Sequence, residues 1–381
     1  MIWFNLIVPI VAIIFMLVFF RKKMAIWEYI LIILIPVIAI SIAKFSSVHS
    51  QTKDTEYWNY YLTSAEYIEP WDTWDDETCT RSVSCGTDSD GNTKYCTETY
   101  DCSHCDHNRP SWTAYDNAGN GYSITQSHFE NLCKVWKMRQ FKDMNRHIDF
   151  HYSCGQDGDA YITKWDNVFE SLQPVCLIKS YENKIQCSKS LFNFKDIDSS
   201  DIAFYGLYDY PIYNDEFNYN PIQGWNNNQA SKRLSQWNGK IGAYRKVHMM
   251  ILVYNNKPQM TGLMQESYWK RGNKNEFILC IGLKENKVID WTYIISWTDK
   301  EKLKIDVRDS VAAMDTFDIT KVIDYTSNEV YKAFEKKSFR KDFSYITVEP
   351  TFKTVVITFI VVILLTIGLC IFSLTNPFEA E

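Results

Sequence analysis

Residues 2–43 read IWFNLIVPIVAIIFMLVFFRKKMAIWEYILIILIPVIAISIA, two apolar runs split by Arg21, Lys22 and Lys23. Each run, 2–20 and 24–43, carries the roughly 20 apolar residues that a helix needs to cross a hydrocarbon core of about 30 Å. Asn5, Pro9, Glu28 and Pro36 interrupt them, which helices tolerate near their ends or against a neighbouring helix. A third run spans residues 354–374 near the other end of the 381-residue chain. The expected architecture is therefore an α+β membrane protein with a helical hairpin at 1–44, a large polar part, and a last apolar helix with a short tail at 351–381. A cleaved signal peptide is the alternative for 2–20, but the run lacks a basic leading region and a small-x-small cleavage site.

Short loops rich in Lys and Arg stay on the cytoplasmic side, so the Arg21-Lys22-Lys23 loop puts residues 45–352 outside the cytoplasm and the C-terminus inside. Lys336, Lys337, Arg340, Lys341 and Lys353 argue the other way, but large domains translocate largely regardless of charge. The net charge of −6 excludes the clustered positive surface of a nucleic-acid binder. The expected partners are the membrane and another protein. No Asn-x-Ser/Thr sequon occurs despite abundant Asn, which points to a bacterial or phage source.

Eleven cysteines occur, and Cys370 lies within an apolar run, leaving an even number for the polar part. Between Cys79 and Cys102, alternating Thr, Val, Tyr and Cys flank Asp88-Ser89-Asp90-Gly91-Asn92, and Asp-Gly is a strong signal for a two-residue hairpin turn. A turn at Asp90-Gly91 sets Cys85 opposite Cys96 and Cys79 opposite Cys102, close enough for cross-strand disulfides. The two pairs then lie about 20 Å apart at about 3.4 Å per residue, too far to share one zinc ion. A smaller zinc site at Cys102, His104, Cys105 and His107, with Cys79 alongside, is the competing reading, and it would suit a cytoplasm-facing scaffold. Asp88, Asp90 and Asn92 imitate the first ligands of a calcium loop, but the following Gly and the twelfth-position Glu are missing. No cofactor is therefore assigned, with calcium and zinc as the alternatives to exclude.

The rest of the cysteine-rich, β-rich subdomain (45–197) begins with an aromatic strand over 54–75. Residues 111–124 form a second turn between short strands, and Ser127 with Glu130 opens a helix that buries Phe129, Leu132, Cys133 and Trp136. Cys176 and Cys187, either side of Glu182-Asn183, suggest a third cross-strand bond. Residues 198–240, dense in Tyr, Asn, Pro and Gly, are expected to form a long loop or junction. From 241 to 350 the pattern becomes an α/β layer: strands at Val247–Tyr254, Phe277–Leu283, Val288–Trp297 and Leu303–Val307, a helix at Thr261–Lys270, and a helix capped by Asp318.

Within that layer, Tyr268-Trp269-Lys270-Arg271-Gly272-Asn273-Lys274-Asn275-Glu276, leading into an apolar strand and then Asn286-Lys287-Val288-Ile289, resembles the TPM domain. The resemblance covers about residues 245–345 and rests on Trp269, Gly272, Lys274 and Asn275; Glu276 stands where the family has Gly, and its Gly-Tyr-Gly turn has no counterpart near Ser296-Trp297-Thr298. It implies a membrane-tethered extracytoplasmic module that assembles membrane complexes or hydrolyses phosphoesters with a metal, without assigning a catalytic residue. There is no G-x-S-x-G, H-E-x-x-H, P-loop or G-x-G-x-x-G pattern. The His147 and His151 pair and the acids Asp157 and Asp159 around Gly158 suit exposed or turn positions. The leading expectation is a binding or organising protein, with no catalysis evident.

Overall fold

The computed structural model describes residues 2–21, 24–87, 89, 91–142, 158–187, 194–285, 288–314 and 316–375. Lys22, Lys23, Asp88, Asp90, His147, His151, Asp157, Asn286, Lys287 and the tail from Asn376 lie outside the described residues. The fold is mixed α+β, and three helices are long and apolar enough to cross a membrane: Ile2–Phe19, Ile26–Thr52 and Phe352–Thr375. They pack on one another through Ile2, Ile40 and Val362 in one layer and Met16, Met24 and Ile32 in another. Phe4, Ile26, Phe45 and Leu364 stay exposed on the outside of this bundle. Asn5 satisfies its amide by donating from Nδ2 to the Val355 carbonyl at 3.2 Å.

After α1 (Ile7–Phe19), helix α2 (Ile26–Thr52) continues past the apolar run and passes without a linker into the 16-residue strand β1 (Lys53–Ile68). Next come β2 (Trp71–Asp75), β3 (Thr78–Thr87), β4 (Thr93–Asp101), β5 (His104–Asn108), β6 (Ser111–Asp116) and β7 (Gly121–Ser123). Helix α3 (Gln126–Val135), β8 (Gln140–Lys142), β9 (Ala160–Lys164) and β10 (Pro174–Glu182) complete the first layer. The first half of β1 pairs with β10 and its second half lies between β6 and β9, all antiparallel. Phe129 and Leu132 of α3, with Trp136 just after it, cover this sheet. The cap of α3 is Thr125, whose Oγ1 accepts the His128 N–H at 3.2 Å, two residues before the expected Ser127.

The stretch 198–240 is not a loop. It holds α4 (Ser199–Tyr205), the short strand β11 (Ile222–Gln223) and most of α5 (Asn228–Arg245). Helical apolar periodicity is masked in α5 because its buried face includes Gln236, Asn238, Gly239 and Gly242. The two amides are buried because they are paired: Gln236 Nε2 donates to the Glu170 carbonyl at 2.9 Å, and Asn238 bridges Met249 in both directions. The glycines let α5 lie against β1, since a Cβ at Gly242 would stand 2.5 Å from the Asn59 Cβ.

β12 (His248–Asn255), α6 (Met260–Tyr268), β13 (Glu276–Leu283), β14 (Ile289–Ser296), α7 (Glu301–Ala312), α8 (Ile319–Ala333), α9 (Phe339–Asp342) and α10 (Phe352–Thr375) form the second layer and the return to the apolar bundle. Its sheet runs β11-β12-β13-β14, with the first three strands parallel and β14 antiparallel. Helices α5, α7 and α8 cover one face, and Trp269, Tyr254 and Trp291 fill the other. Residues 303–307 are helical in α7, not a strand. Leu303 to Val307 alternates apolar and polar, so two periods compete; the buried set Leu303, Val307 and Val311 selects the helix and leaves Ile305 exposed.

The expected hairpin forms as β3 and β4, with disulfides Cys79–Cys102 and Cys85–Cys96 at Cα separations of 5.8 and 5.7 Å. Its register differs from the expected one: Cys79 stands opposite Tyr100 and Val83 opposite Cys96, so both bonds run diagonally. A bulge between Ser84 and Thr87 shifts the ladder, and the connection from Thr87 to Thr93 is longer than a two-residue turn. Cys176 and Cys187 are not bonded. The chain after β10 enters a 3-10 turn, Ile185–Cys187, instead of doubling back; Cys176 faces Tyr57, Tyr213 and Tyr219, while Cys187 Sγ meets the Gln51 carbonyl at 3.0 Å.

Peptide mapping without reductant should recover both hairpin disulfides while Cys176 and Cys187 alkylate once the chain is unfolded. Gly242→Ala should lower the denaturant midpoint by an amount equivalent to about 1–3 kcal/mol, because overpacking against Asn59 outweighs the helix-propensity gain of about 1 kcal/mol. An unchanged midpoint would show that α5 does not need this close approach.

Candidate functional site

A cleft of about 550 Å³ opens where β1 and β10 meet the turn after α6, beside the end of α2. Its walls include Asp54, Asn183, Tyr210, Trp269, Asn273 and Trp297. The turn that shapes it is unusual: Lys270, Arg271 and Gly272 have φ of 49°, 69° and 68°, three successive left-handed residues. A left-handed non-glycine residue costs on the order of 1 kcal/mol or more, and such conformations persist where the surroundings over-determine them. Here Trp269 Nε1 donates to the Tyr208 carbonyl at 2.8 Å, Arg271 pairs with Glu266 at 2.5 Å, and the Gly272 carbonyl accepts from Trp297 Nε1 at 3.0 Å. Gly272 itself is required, because a Cβ there would collide with the Glu276 carboxylate.

Glu276 lies fully buried just behind this wall. It accepts hydrogen bonds from the Tyr210 hydroxyl, from Asn273 N–H at 2.8 Å and from Asn273 Nδ2 at 2.9 Å. Burial pushes its carboxyl up to about 7; the three hydrogen bonds oppose that shift and the charge of Asp54 adds to it. The network reaches the cleft through Tyr181, whose hydroxyl is 2.9 Å from Asn273 Oδ1 and 3.1 Å from Asp54 Oδ2, while Asn183 Nδ2 donates to the same Asp54 oxygen at 2.7 Å. A molecule in the cleft therefore meets Asp54, Asn273 and Tyr210 directly and the Glu276 carboxyl only through them.

The four residues on which the TPM resemblance rests converge here. Trp269 and Gly272 line the cleft. Lys274 lies 3.5 Å from the buried Glu56 of β1 and 3.8 Å above the Tyr181 ring, and Asn275 Nδ2 donates to the Tyr57 carbonyl at 2.6 Å. They fasten the second layer to β1. Glu276, which departs from the family pattern, is the buried carboxyl that burial pushes up to about 7. Asp54, Asp196, Tyr210 and Trp297 were not legible as site residues, because distant segments bring them together; of the lining, the motif residues Trp269 and Gly272 were singled out from sequence.

Other sequence candidates lie elsewhere. Cys102 is disulfide-bonded to Cys79, and Cys105 is disulfide-bonded as well, so neither offers a thiolate to zinc. His104 pairs with Asp106 at 3.3 Å and His107 Nδ1 with Asp72 at 2.7 Å. Asn92 is exposed at the hairpin tip, while its companions Asp88 and Asp90 lie outside the described residues. His248 is a core histidine: one ring nitrogen is 3.0 Å from Asn59 Nδ2, the other 3.3 Å from the Tyr213 hydroxyl, and burial lowers it to about 3, so it stays neutral. His128 packs edge-on against Phe217 at 4.7 Å, and burial lowers its pKa.

The arm formed by β2–β5 and β3–β4 is a second notable feature. Every residue of β4 is exposed, and β3 and β4 pair only with each other. Tyr95 and Tyr100 stand on its surface, 68% and 41% accessible. No protein family, no curated protein and no solved structure matches the chain.

A carboxyl held above its unfolded value of about 4.3 stabilises the fold while protonated, and that stability is lost as pH rises through about 7. Unfolding free energies from urea titrations at pH 4.5 to 8 should fall for the native chain by up to roughly 3 kcal/mol from this group. Glu276→Gln should be less stable at acid pH, where one acceptor is lost, yet flatter across the window. Equal slopes for the two proteins would remove Glu276 as the titrating group.

Proposed function

We propose that the chain is an extracytoplasmic, membrane-anchored protein that binds a protein partner through its disulfide-braced arm and so organises a bacterial or phage-modified envelope complex. The carrying observation is that arm. A two-stranded ladder with no hydrophobic core is marginal in water, and two disulfides compensate by restricting its unfolded state. Exposed tyrosines on a rigid, outward-facing ladder are the residue type that anchors protein interfaces. Disulfides persist in oxidising compartments, and the short basic loop at Arg21 favours the same orientation. The continuous path from α2 into β1 couples the body directly to the apolar helices, which supports an anchored domain.

The TPM resemblance supports a second reading, metal-dependent phosphoester hydrolysis, because Trp269 and Gly272 lie on a cleft wall in front of a carboxyl that titrates near neutrality. Turnover of p-nitrophenyl phosphate that depends on calcium or magnesium and disappears in Asp54→Asn would establish it.

A photo-crosslinking residue at Tyr95 or Tyr100 should give one discrete adduct in intact membranes, and the same residue at Tyr244 on the body should not. Replacing residues 78–102 with a short Gly-Ser link should abolish that adducted complex on native gels while leaving the melting temperature of the body within about 2 °C. A complex of unchanged size without the arm would overturn the proposal.

A further inference from the structure

We propose that the juxtamembrane cleft is a binding site for an organic ammonium group, held by Asp54 and Asp196 against the faces of Trp297, Tyr210 and Tyr268. This site is separate from the arm and does not rest on the reading given to it.

Two observations carry the inference. First, the cleft is a real space of about 550 Å³, large enough for a small organic ligand, and its mixed lining includes the aromatic rings of Tyr210, Tyr268, Trp269 and Trp297. Aromatic faces attract cations through their quadrupole, and alkylated ammonium ions, being weakly hydrated, gain most. Trp297 already works this way on one side, with the Arg271 guanidinium 5.0 Å from its ring centre. Second, the carboxylates at the cleft have no basic partner: among the described residues no Lys or Arg nitrogen lies within 4.0 Å of Asp54 or Asp196, although most acids of the second layer are paired. Asp54 is held by hydrogen bonds to its own next amide, to Tyr181 and to Asn183, so its charge is oriented without being neutralised. Lys270 is the basic residue on the rim, and it leaves the cleft net negative.

The height of the cleft narrows the sources. The apolar run ends near Ala43, and the helical residues from Lys44 to Thr52 rise about 14 Å at 1.5 Å each, placing Asp54 at or just beyond the headgroup layer. The ammonium can belong to a lipid headgroup reaching upward or to a free amine.

The test uses the full chain in nanodiscs of phosphatidylglycerol, titrated calorimetrically with choline and with its neutral isostere 3,3-dimethylbutan-1-ol. Saturable choline binding at least tenfold tighter than the alcohol, weakened at least tenfold in Asp54→Asn and in the double variant with Asp196→Asn, is the expected result. Asp196 is exposed, so its replacement leaves the fold intact, and a circular-dichroism melt checks Asp54→Asn. Repeating the titration in nanodiscs containing phosphatidylethanolamine assigns the source: weakened choline affinity means the headgroup occupies the cleft, and unchanged affinity means a free amine does. Equal affinity for choline and the alcohol, no saturable binding of choline, or full binding by the double variant would overturn the proposal. None of these outcomes bears on the arm, whose partner is tested by crosslinking.

Discussion

Asn59, 1% exposed in the middle of β1, is the joint on which both layers depend. Its Nδ2 donates to the Val247 carbonyl at 3.0 Å and meets the His248 ring, and its Oδ1 accepts from the Tyr219 hydroxyl at 3.2 Å. A buried amide must find partners for its donors and its acceptor or lose the cost of desolvation, so these contacts fix the distance and orientation of β12 relative to β1. Gly242 of α5 then lies against the Asn59 side chain with no room for a Cβ. Because β1 continues directly from α2, the same joint sets the orientation of the second layer relative to the apolar helices.

A buried charge cluster reinforces the joint on the other side of β1. Glu56, 4% exposed, receives Lys336 at 2.9 Å and Lys274 at 3.5 Å, and accepts the Trp58 indole N–H at 2.8 Å. Burial lowers both ammonium groups, and Glu56 works against that shift. Such pairs add little net stability over an apolar packing, yet removing one partner strands a buried charge at a cost of about 3–5 kcal/mol. Lys274 belongs to the turn that shapes the cleft and Lys336 to the segment leading back to the apolar bundle, so one carboxylate ties the site and that returning segment to the central strand. The cleft is a consequence of this closure: it is the space left where β1, β10 and the left-handed turn at 270–272 cannot all meet.

The arm obeys different physics. It contributes nothing to either core, and its ladder is held by two diagonal disulfides in place of packing. Losing those bonds is therefore a local event, whereas losing Asn59 or Glu56 disturbs both layers at once. This separation allows an exposed arm and a polar cleft to coexist on one body without competing for stability.

Where a segment's own period or turn chemistry decides its conformation, the sequence was sufficient: the three apolar helices, the paired cysteines of the hairpin, strands 248–255, 276–283 and 289–296, and the helix capped by Asp318 all follow from local pattern. It failed where burial is polar or where two periods coincide. Helix α5 hides its inward face behind Gln236, Asn238 and two glycines, residues 303–307 satisfy both strand and helix alternation, and the bulge at Ser84–Thr87 shifts a register that strand counting alone would keep. The cleft was illegible for a further reason. Asp54, Tyr181, Tyr210, Asn273 and Trp297 come from segments scattered over more than two hundred positions, and no local pattern encodes which of them share a wall. Sequence alone determined the apolar helices, the hairpin and most strands; the tertiary structure decided α5, the joint and the cleft, because hydrogen-bond satisfaction of buried polar groups is settled only when distant segments meet.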